Sequence, residues 1–578
     1  MKDHHKKESP ILTLPSLAGG FQGGAGESDP WAHVIGQQYG DNYPCQMVLD
    51  SSRNIIFTMM RTGSHITVKL SNSGTILWKR KLNMGTDYSS SFQKSDVTVD
   101  SSDNVYVAFT TTANYSSVYI PVSNTQGEGN IIVAKYNSSG VLQWQREITT
   151  STSTATGNAG GIACDSSDNV YVCGTQMGYN QSTSAYQKYA LVKFNSSGTH
   201  QWTRRLQGYT NVNWGSSQNF TERNAMSERH RANGLTYVPA ADGQPEGVCM
   251  CGSIYNYDSQ NASQDFFLAR YDTSGNIQWR KCYHRGIYSS YEKGEGPERD
   301  NYESIQAMKC VRSDSSGNIF VVGTASNGLQ FNSGYPRSQM LFKLDPSGSL
   351  TWSKRFGSFD DKGASLAVSS STGQIITVGL RQVIHSYSYT SYGNINVYDS
   401  SGSPQRSFNV DSGGYGTFTD YERINYCASV AADDKDFFYL LVAFKSVTGS
   451  TSTGLQCIVL KLALDFTVST PSGSYPTSGH PSLAGYNGSY SVEPYRWGIR
   501  HRGGNPSFPA NPSFQFINGS GGLSVTDQST GGWTTTARIT DQNIGAITLP
   551  IATSTLTDSD ATYTISNDFI AEWPTAAQ

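Results

Sequence analysis

KLSNSGTILW from Lys69 to Trp78, KYNSSGVLQW from Lys135 to Trp144, KFNSSGTHQW from Lys193 to Trp202, RYDTSGNIQW from Arg270 to Trp279 and KLDPSGSLTW from Lys343 to Trp352 are five copies of one phrase. Each runs basic residue, apolar residue, two turn-forming residues, Ser-Gly, three variable residues, Trp. Repetition at this length signals an array of supersecondary units. Ahead of the phrase lies a second recurring element, an apolar run broken by Asp50-Ser-Ser-Arg-Asn54, Asp100-Ser-Ser-Asp-Asn104, Asp165-Ser-Ser-Asp-Asn169 or Asp314-Ser-Ser-Gly-Asn318, with weaker copies at Asp242, Ser370 and Asp433. Alternations such as Val105-Tyr-Val107 and Val170-Tyr-Val172 flank these turns, which is strand composition bounded by turn residues. Each unit therefore holds two hairpins, one turning on Asp-Ser-Ser-x-Asn and the other on Asn/Asp-x-Ser-Gly.

A four-stranded unit recurring at intervals of 50 to 77 residues predicts an all-β fold, a β-propeller. Seven first-turn positions predict seven blades. A sixth second turn survives as Tyr398-Asp-Ser-Ser-Gly402 with Arg406 in place of Trp, and a seventh dissolves after Lys461, leaving the last blade without a fourth strand. Trp31-Ala-His33 stands alone near the N-terminus and resembles Trp78-Lys-Arg80. Residues about 31 to 37 are thus expected to supply the outer strand of blade seven and close the ring, which removes exposed edges. The predicted organisation is an N-terminal arm at 1–29, a propeller over 30–470, and a β-rich C-terminal module or attachment arm over 471–578.

The repeated residues read as scaffolding. Trp on an outer strand beside Lys or Arg on its neighbour suits packing and cation–π contact between blades. The Asp-Ser-Ser-x-Asn turn places serine where a calcium loop needs a carboxylate, so a turn is the preferred reading and no metal is expected. The phrase resembles the Asp-box of sialidase propellers, but its Gly-to-Trp gap is one residue longer and no arginine triad accompanies it.

Composition narrows the class. The chain has 578 residues, 12% of them aromatic, which is ample for a large core. A net charge of −3 favours neither nucleic acid nor an anionic membrane. No apolar run approaches the roughly 18 to 20 residues of a membrane span, and no signal-peptide core follows Met1-Lys-Asp-His-His. Nine cysteines, an odd number scattered mostly through expected strands, suggest buried thiols and folding in a reducing cytosol. Cys249 and Cys251 lack a second Cys or His pair at zinc spacing. The surface composition points the other way: Gly, Ser, Thr, Asn and 34 tyrosines dominate, as in adhesins and fibres. Folding in a host cytoplasm followed by release on lysis reconciles the two signals.

Because strands alternate direction, both short turns of every blade leave on one face, and the long connections must leave on the other. Those connections are expected at Thr110–Asn130, Gly174–Lys188, Gln207–Asn233, Gly252–Gln264, Tyr283–Tyr302 and Arg381–Asn394. They carry the candidate binding residues Tyr115, Tyr119, Tyr179, Tyr209, Trp214, Tyr255, Tyr257, Tyr288, Tyr291, Tyr387 and Tyr389, whose rigid rings and polar tips suit glycan or protein surfaces. Packing of the loops themselves is the competing reading. His230, His284 and His385, with Glu222, Glu228, Glu292, Glu295, Glu298 and Asp300, are the available acid–base groups. Nothing in their spacing enforces a catalytic pair, and no nucleophile elbow, phosphate loop or H-E-x-x-H motif is present. The expectation is a non-enzyme without cofactor; a propeller that processes polysaccharide requires those histidines to share one cleft.

The unit D-x-S-G-N-x-Y-V-x-G followed by K-Y-x-x-S-G-x-x-x-W resembles the bacterial and viral SBBP-like β-propeller repeat family over about residues 31 to 470. With its tails and the texture of Ile547-Thr-Leu-Pro to Leu556-Thr-Asp-Ser-Asp-Ala-Thr-Tyr, the chain also resembles structural proteins of tailed-bacteriophage virions, including cyanophages. That resemblance implies a tail, fibre or spike component meeting other virion proteins through either terminal segment, with the long-loop face binding a host glycan or a neighbouring protein. A secreted or surface lectin-like propeller is the alternative.

Overall fold

The computed structural model describes residues 31–35, 42–61, 64–83, 95–110, 131–148, 156–177, 188–208, 231–258, 261–285, 308–326, 337–356, 360–385, 388–411, 426–435, 437–448 and 451–463, and six short segments between 498 and 560. These residues form seven antiparallel sheets. Blade one runs through Asn42–Leu49, Ile55–Arg61, Ser64–Leu70 and Ile76–Asn83, and blades two to six repeat that meander in chain order. The seven inner strands touch in sequence and the seventh returns to the first, so the sheets form a closed propeller.

Blade seven takes Tyr426–Ala432, Phe437–Thr448 and Thr451–Ala463 from the end of the propeller sequence and Trp31–Ile35 from its beginning. Trp31 pairs with Lys461 and Ile35 with Cys457. The isolated Trp31-Ala-His33 is therefore the missing fourth strand, as its likeness to the other outer strands predicts.

The core lies between blades. Ile56, Trp78 and Leu82 of blade one pack with Val105, Val107 and Phe109 of blade two, and comparable clusters follow around the ring to the one joining Phe437 and Tyr439 of blade seven to Phe57 and Val68 of blade one. A middle strand is thus covered on both sides, which is why Ser64–Leu70 is buried at every position instead of alternating.

Two expectations about connections change. Gly252–Gln264 and Arg381–Asn394 read as long loops, but strands Gly247–Asp258 with Asn261–Asp272, and Ile375–His385 with Ser388–Tyr398, run on as extended hairpins. The physical reason is that Ile254-Tyr-Asn-Tyr257 and Val383-Ile384, with Tyr389-Thr390, are β-forming residues whose backbone groups pair across the hairpin. Of the C-terminal β-like segments, Trp533–Thr535, Ile539–Thr540 and Ile551–Ala552 are strands, whereas Phe514–Ile517 and Ala561–Ile565 lie outside the described residues. The six C-terminal segments each pair with the outer strand of a different blade, from blade six back to blade one.

Candidate functional site: the long-loop face and the face opposite

The short-turn face shows what the repeated residues do. In blade three the Asp165 carboxylate accepts hydrogen bonds from the Ser167 and Asn169 backbone at 3.0 and 2.9 Å, and from Tyr171 Oη at 2.7 Å. Lys193 Nζ lies 3.6 Å from it. Lys69–Asp50 and Lys135–Asp100 repeat the ion pair at 2.8 and 3.4 Å. Burial pushes the Asp165 carboxyl up, yet the hydrogen bonds from Tyr171, Asn169 and Ser167 together outweigh it and hold it below the usual carboxylate range. Asp100 is held down in the same way by Asn104, Tyr106 and Ser102.

The basic residue and the Trp of the phrase stand directly opposite each other, as in Lys135↔Trp144 and Lys193↔Trp202, and reach for the same atom of the next blade. Lys135 Nζ and Trp144 Nε1 both donate to the Ser196 carbonyl, at 3.1 Å each. Arg146, two residues beyond Trp144, donates to the Gly198 carbonyl at 2.8 Å. The cation–π partners differ from the simple Trp–Lys expectation: Lys135 sits 4.8 Å from the ring of Tyr106, while Arg146 covers Trp144 at 5.4 Å. The reason is that the lysine is drawn inward to its Asp, over the second strand, which leaves the Trp face to the arginine. Blade four has Pro239 where blades one, two, three, five and seven have the turn Asp, and its basic residue is Arg270, whose guanidinium instead donates to the carbonyls of Pro346, Pro239 and Pro245.

Neighbouring first turns are latched as well. Asp103 accepts from Ser51 N and Oγ at 2.9 and 2.7 Å, and Asp168 accepts from Ser101 N and Oγ, both at 2.9 Å. Both aspartates sit at positive φ, 60° and 61°. The carboxylates that a calcium loop would aim at an ion are thus committed to the preceding blade.

Of the residues expected on the opposite face, Tyr115, Tyr119, Tyr179, Tyr209, Trp214, Tyr288, Tyr291 and Tyr387 lie outside the described residues, as do His230 and the six loop carboxylates. Tyr255 and Tyr257 are placed on the extended hairpin of blade four, opposite Gln264 and Ala262. Tyr389 stands opposite Ile384 near the tip of the blade-six hairpin. Of the histidines, His284 is on the outer strand of blade four, paired with Thr534, and His385 ends the second strand of blade six opposite Ser388. Neither is on an inner strand bordering the axis, so the structure does not gather these two at the centre.

A polar cluster that sequence reasoning missed joins blades one and two. His65 is fully buried, stacks on Phe109 with ring centroids 4.1 Å apart, and places Nε2 2.8 Å from Ser95 Oγ. Asp96 accepts from the amides of Val97 and Ile162, the latter in blade three. Burial pushes the Asp96 carboxyl up, opposed by the Arg312 charge from blade five. Burial pushes His65 down to about 3, so it is a neutral imidazole at ordinary pH and too weak a base to activate Ser95. Among the described residues its Nδ1 has no hydrogen-bond partner, so none of them supplies the third, orienting group of a triad. The repeat frame carries the signal: His65 lies four residues before Lys69, and the same register before Lys343 is Gln339, which accepts from Thr377 and Asn396 of blade six. Both positions break an otherwise largely apolar register (Ile131, Tyr189, Phe266, Cys457).

Among the eight cysteines with described side chains, none forms a disulfide and six are buried. Cys249 and Cys251 sit in the apolar core between blades four and five, and burial pushes the Cys249 thiol up to about 12. A thiol in that state is a small core side chain.

No family model matches the chain, and no curated protein does. Solved structures share the architecture at a distance. A virginiamycin B lyase from Staphylococcus aureus is 9% identical, with 75% of this chain and 100% of that one covered at a TM-score of 0.35. A polysaccharide lyase of the PL25 ulvan lyase family is 10% identical, covering 74% and 95% at 0.41. Drosophila Plexin A, in complex with Semaphorin 1b, is 8% identical, covering 79% and 88% at 0.28. Lyases and a plexin thus stand side by side, and the likeness carries no argument about activity.

Proposed function

We propose that the chain is a non-catalytic recognition scaffold, a structural or adhesion component of a phage virion, whose long-loop face binds a host-surface glycan or a neighbouring virion protein. The observation that supports this most is the division of labour between the two faces. The short-turn face spends its Asp, Lys, Trp, Arg and Ser groups on holding blades together. The sequence places its long, tyrosine-rich connections on the other face, where a ligand meets rigid rings carried on a fixed frame. Asp100 and Asp165 are tied into their turns, and the Ser95–His65 contact has a histidine that stays neutral. The N-terminal arm of residues 1–29 serves as the tie to other virion proteins, and no cofactor takes part. The virion assignment rests on the cytosolic character of the buried free thiols combined with a fibre-like surface composition.

The test is a glycan array and a host-cell binding assay with the full chain and the Tyr255→Ala/Tyr257→Ala variant, together with mass spectrometry of purified virions. Binding that falls at least tenfold in the variant, with an unchanged melting temperature, supports the reading. Equal binding by both proteins removes the blade-four hairpin from the site, and turnover of a bound polysaccharide to shorter products overturns the non-catalytic reading.

A further inference from the structure

The C-terminal strands follow one rule. Gly498–Arg500 pairs with blade six, Val525–Asp527 with blade five, Trp533–Thr535 with blade four, Ile539–Thr540 with blade three, Ile551–Ala552 with blade two and Asp558–Asp560 with blade one. Each is antiparallel to the outer strand, and each sits at that strand's far end, where the chain leaves for the next blade: Lys81, Ile148, Gln207, His284, Arg355 and Val410 are among the paired residues. Blade seven, whose outer strand is Trp31–Ile35, remains four-stranded among the described residues.

From this order we infer that the six short strands between 498 and 560 act as a belt that travels round the rim against the chain's own direction, and that its function is to lock blades one to six together from outside. The outer strand of a blade otherwise presents a row of unpaired N–H and C=O groups, a template for association with other chains. Six such edges are taken up by one continuous segment. Two or three residue pairs bind weakly alone, but tethering makes each successive docking intramolecular and the belt strong as a whole. Ile539–Thr540 also touches the outer strand of blade four, so the belt spans the step between blades three and four.

Register and composition fit that role. Asp560 stands opposite Arg80, and Asp527 stands opposite Lys354, and opposite charges across an antiparallel pair favour pairing. The segment after Lys461 contains no lysine, the residue type with which free strand edges discourage association. The ring's own closure is the pairing of Trp31–Ile35 with Thr451–Ala463 and the packing of Phe437 and Tyr439 on Phe57 and Val68, and the belt adds outer-rim pairing on the other six blades. This inference stands independently of what the long-loop face binds.

Paired cysteines test the order directly, because directly opposite residues of antiparallel strands have Cα atoms about 4.5–5.5 Å apart, within disulfide reach. In the full chain, Lys81→Cys/Ser559→Cys, His284→Cys/Thr534→Cys and Arg355→Cys/Thr526→Cys are oxidised mildly and read by non-reducing mass spectrometry. The belt predicts intramolecular cross-links in all three and none in the mismatched Lys81→Cys/Thr526→Cys. Equal cross-linking of the mismatched pair overturns the retrograde order, and cross-links found only between molecules overturn the intramolecular belt. A second measurement leaves the pairing untouched: a specific protease site inserted within 464–497 is cut in the folded protein. Co-elution of the two fragments on gel filtration is expected, and their separation without denaturant refutes the lock.

Discussion

Stability should depend on pH through His65 in a window that opens about two pH units above the range of ordinary carboxylates. The folded protein holds this imidazole neutral down to about pH 3, whereas the unfolded chain protonates it near its ordinary value of about 6.5. Below that value the unfolded state carries a proton that the folded state lacks, so stability falls as pH falls, at about 1.4 kcal/mol per pH unit, and the loss ends near pH 3. Between pH 6.5 and 4.5 the expected loss is about 2–3 kcal/mol from this one residue. The substitution His65→Gln can keep the hydrogen bond to Ser95 without a titratable ring. Urea unfolding followed by tryptophan fluorescence, at half-unit pH steps, gives midpoints for both proteins. Wild type should lose stability steadily across this window, and the variant should lose about 2 kcal/mol less over the same span. Parallel profiles would refute the reasoning and would mean that His65 takes up a proton in the folded state. In that event the Ser95–His65 pair regains the chemistry denied to it above.

Asp165→Ala removes a buried acceptor shared by Tyr171, Asn169 and Ser167 and leaves Lys193 without its carboxylate; a cost of about 3–5 kcal/mol in urea unfolding is expected. Asp345→Ala, at a second turn whose carboxylate accepts only from Ser347 and Ser349, should cost under about 1.5 kcal/mol. Gly198→Ala should cost about 2–4 kcal/mol, because the residue sits at φ +76° and a Cβ would lie 2.7 Å from Trp144 Cδ2; thermal denaturation checks it. Asp103→Gly should melt above Asp103→Ala, since both lose the Ser51 latch but only glycine relaxes the φ of 60°.

The repeating phrase carried the blade count and the closure of the ring within itself, because hairpin turns and strand alternation are local: Asp165 bonds to Asn169 and Tyr171, within six residues. Trp31 was legible for the same reason, as one more copy of a local pattern. Tyr255, Tyr257 and Tyr389 were assigned to loops because a tyrosine-rich polar stretch has the same composition whether its backbone pairs or not; pairing with a partner strand decides that. The His65–Ser95 contact joins different blades, and the register that brings His65 to the seam shows only once the blades are superposed. Local sequence thus determined seven four-stranded units and where the ring closes. Only the tertiary structure decided which rim each unit offers to the C-terminal segment and in what order, because pairing at an outer edge depends on which edges the finished ring leaves open, a property no single blade possesses.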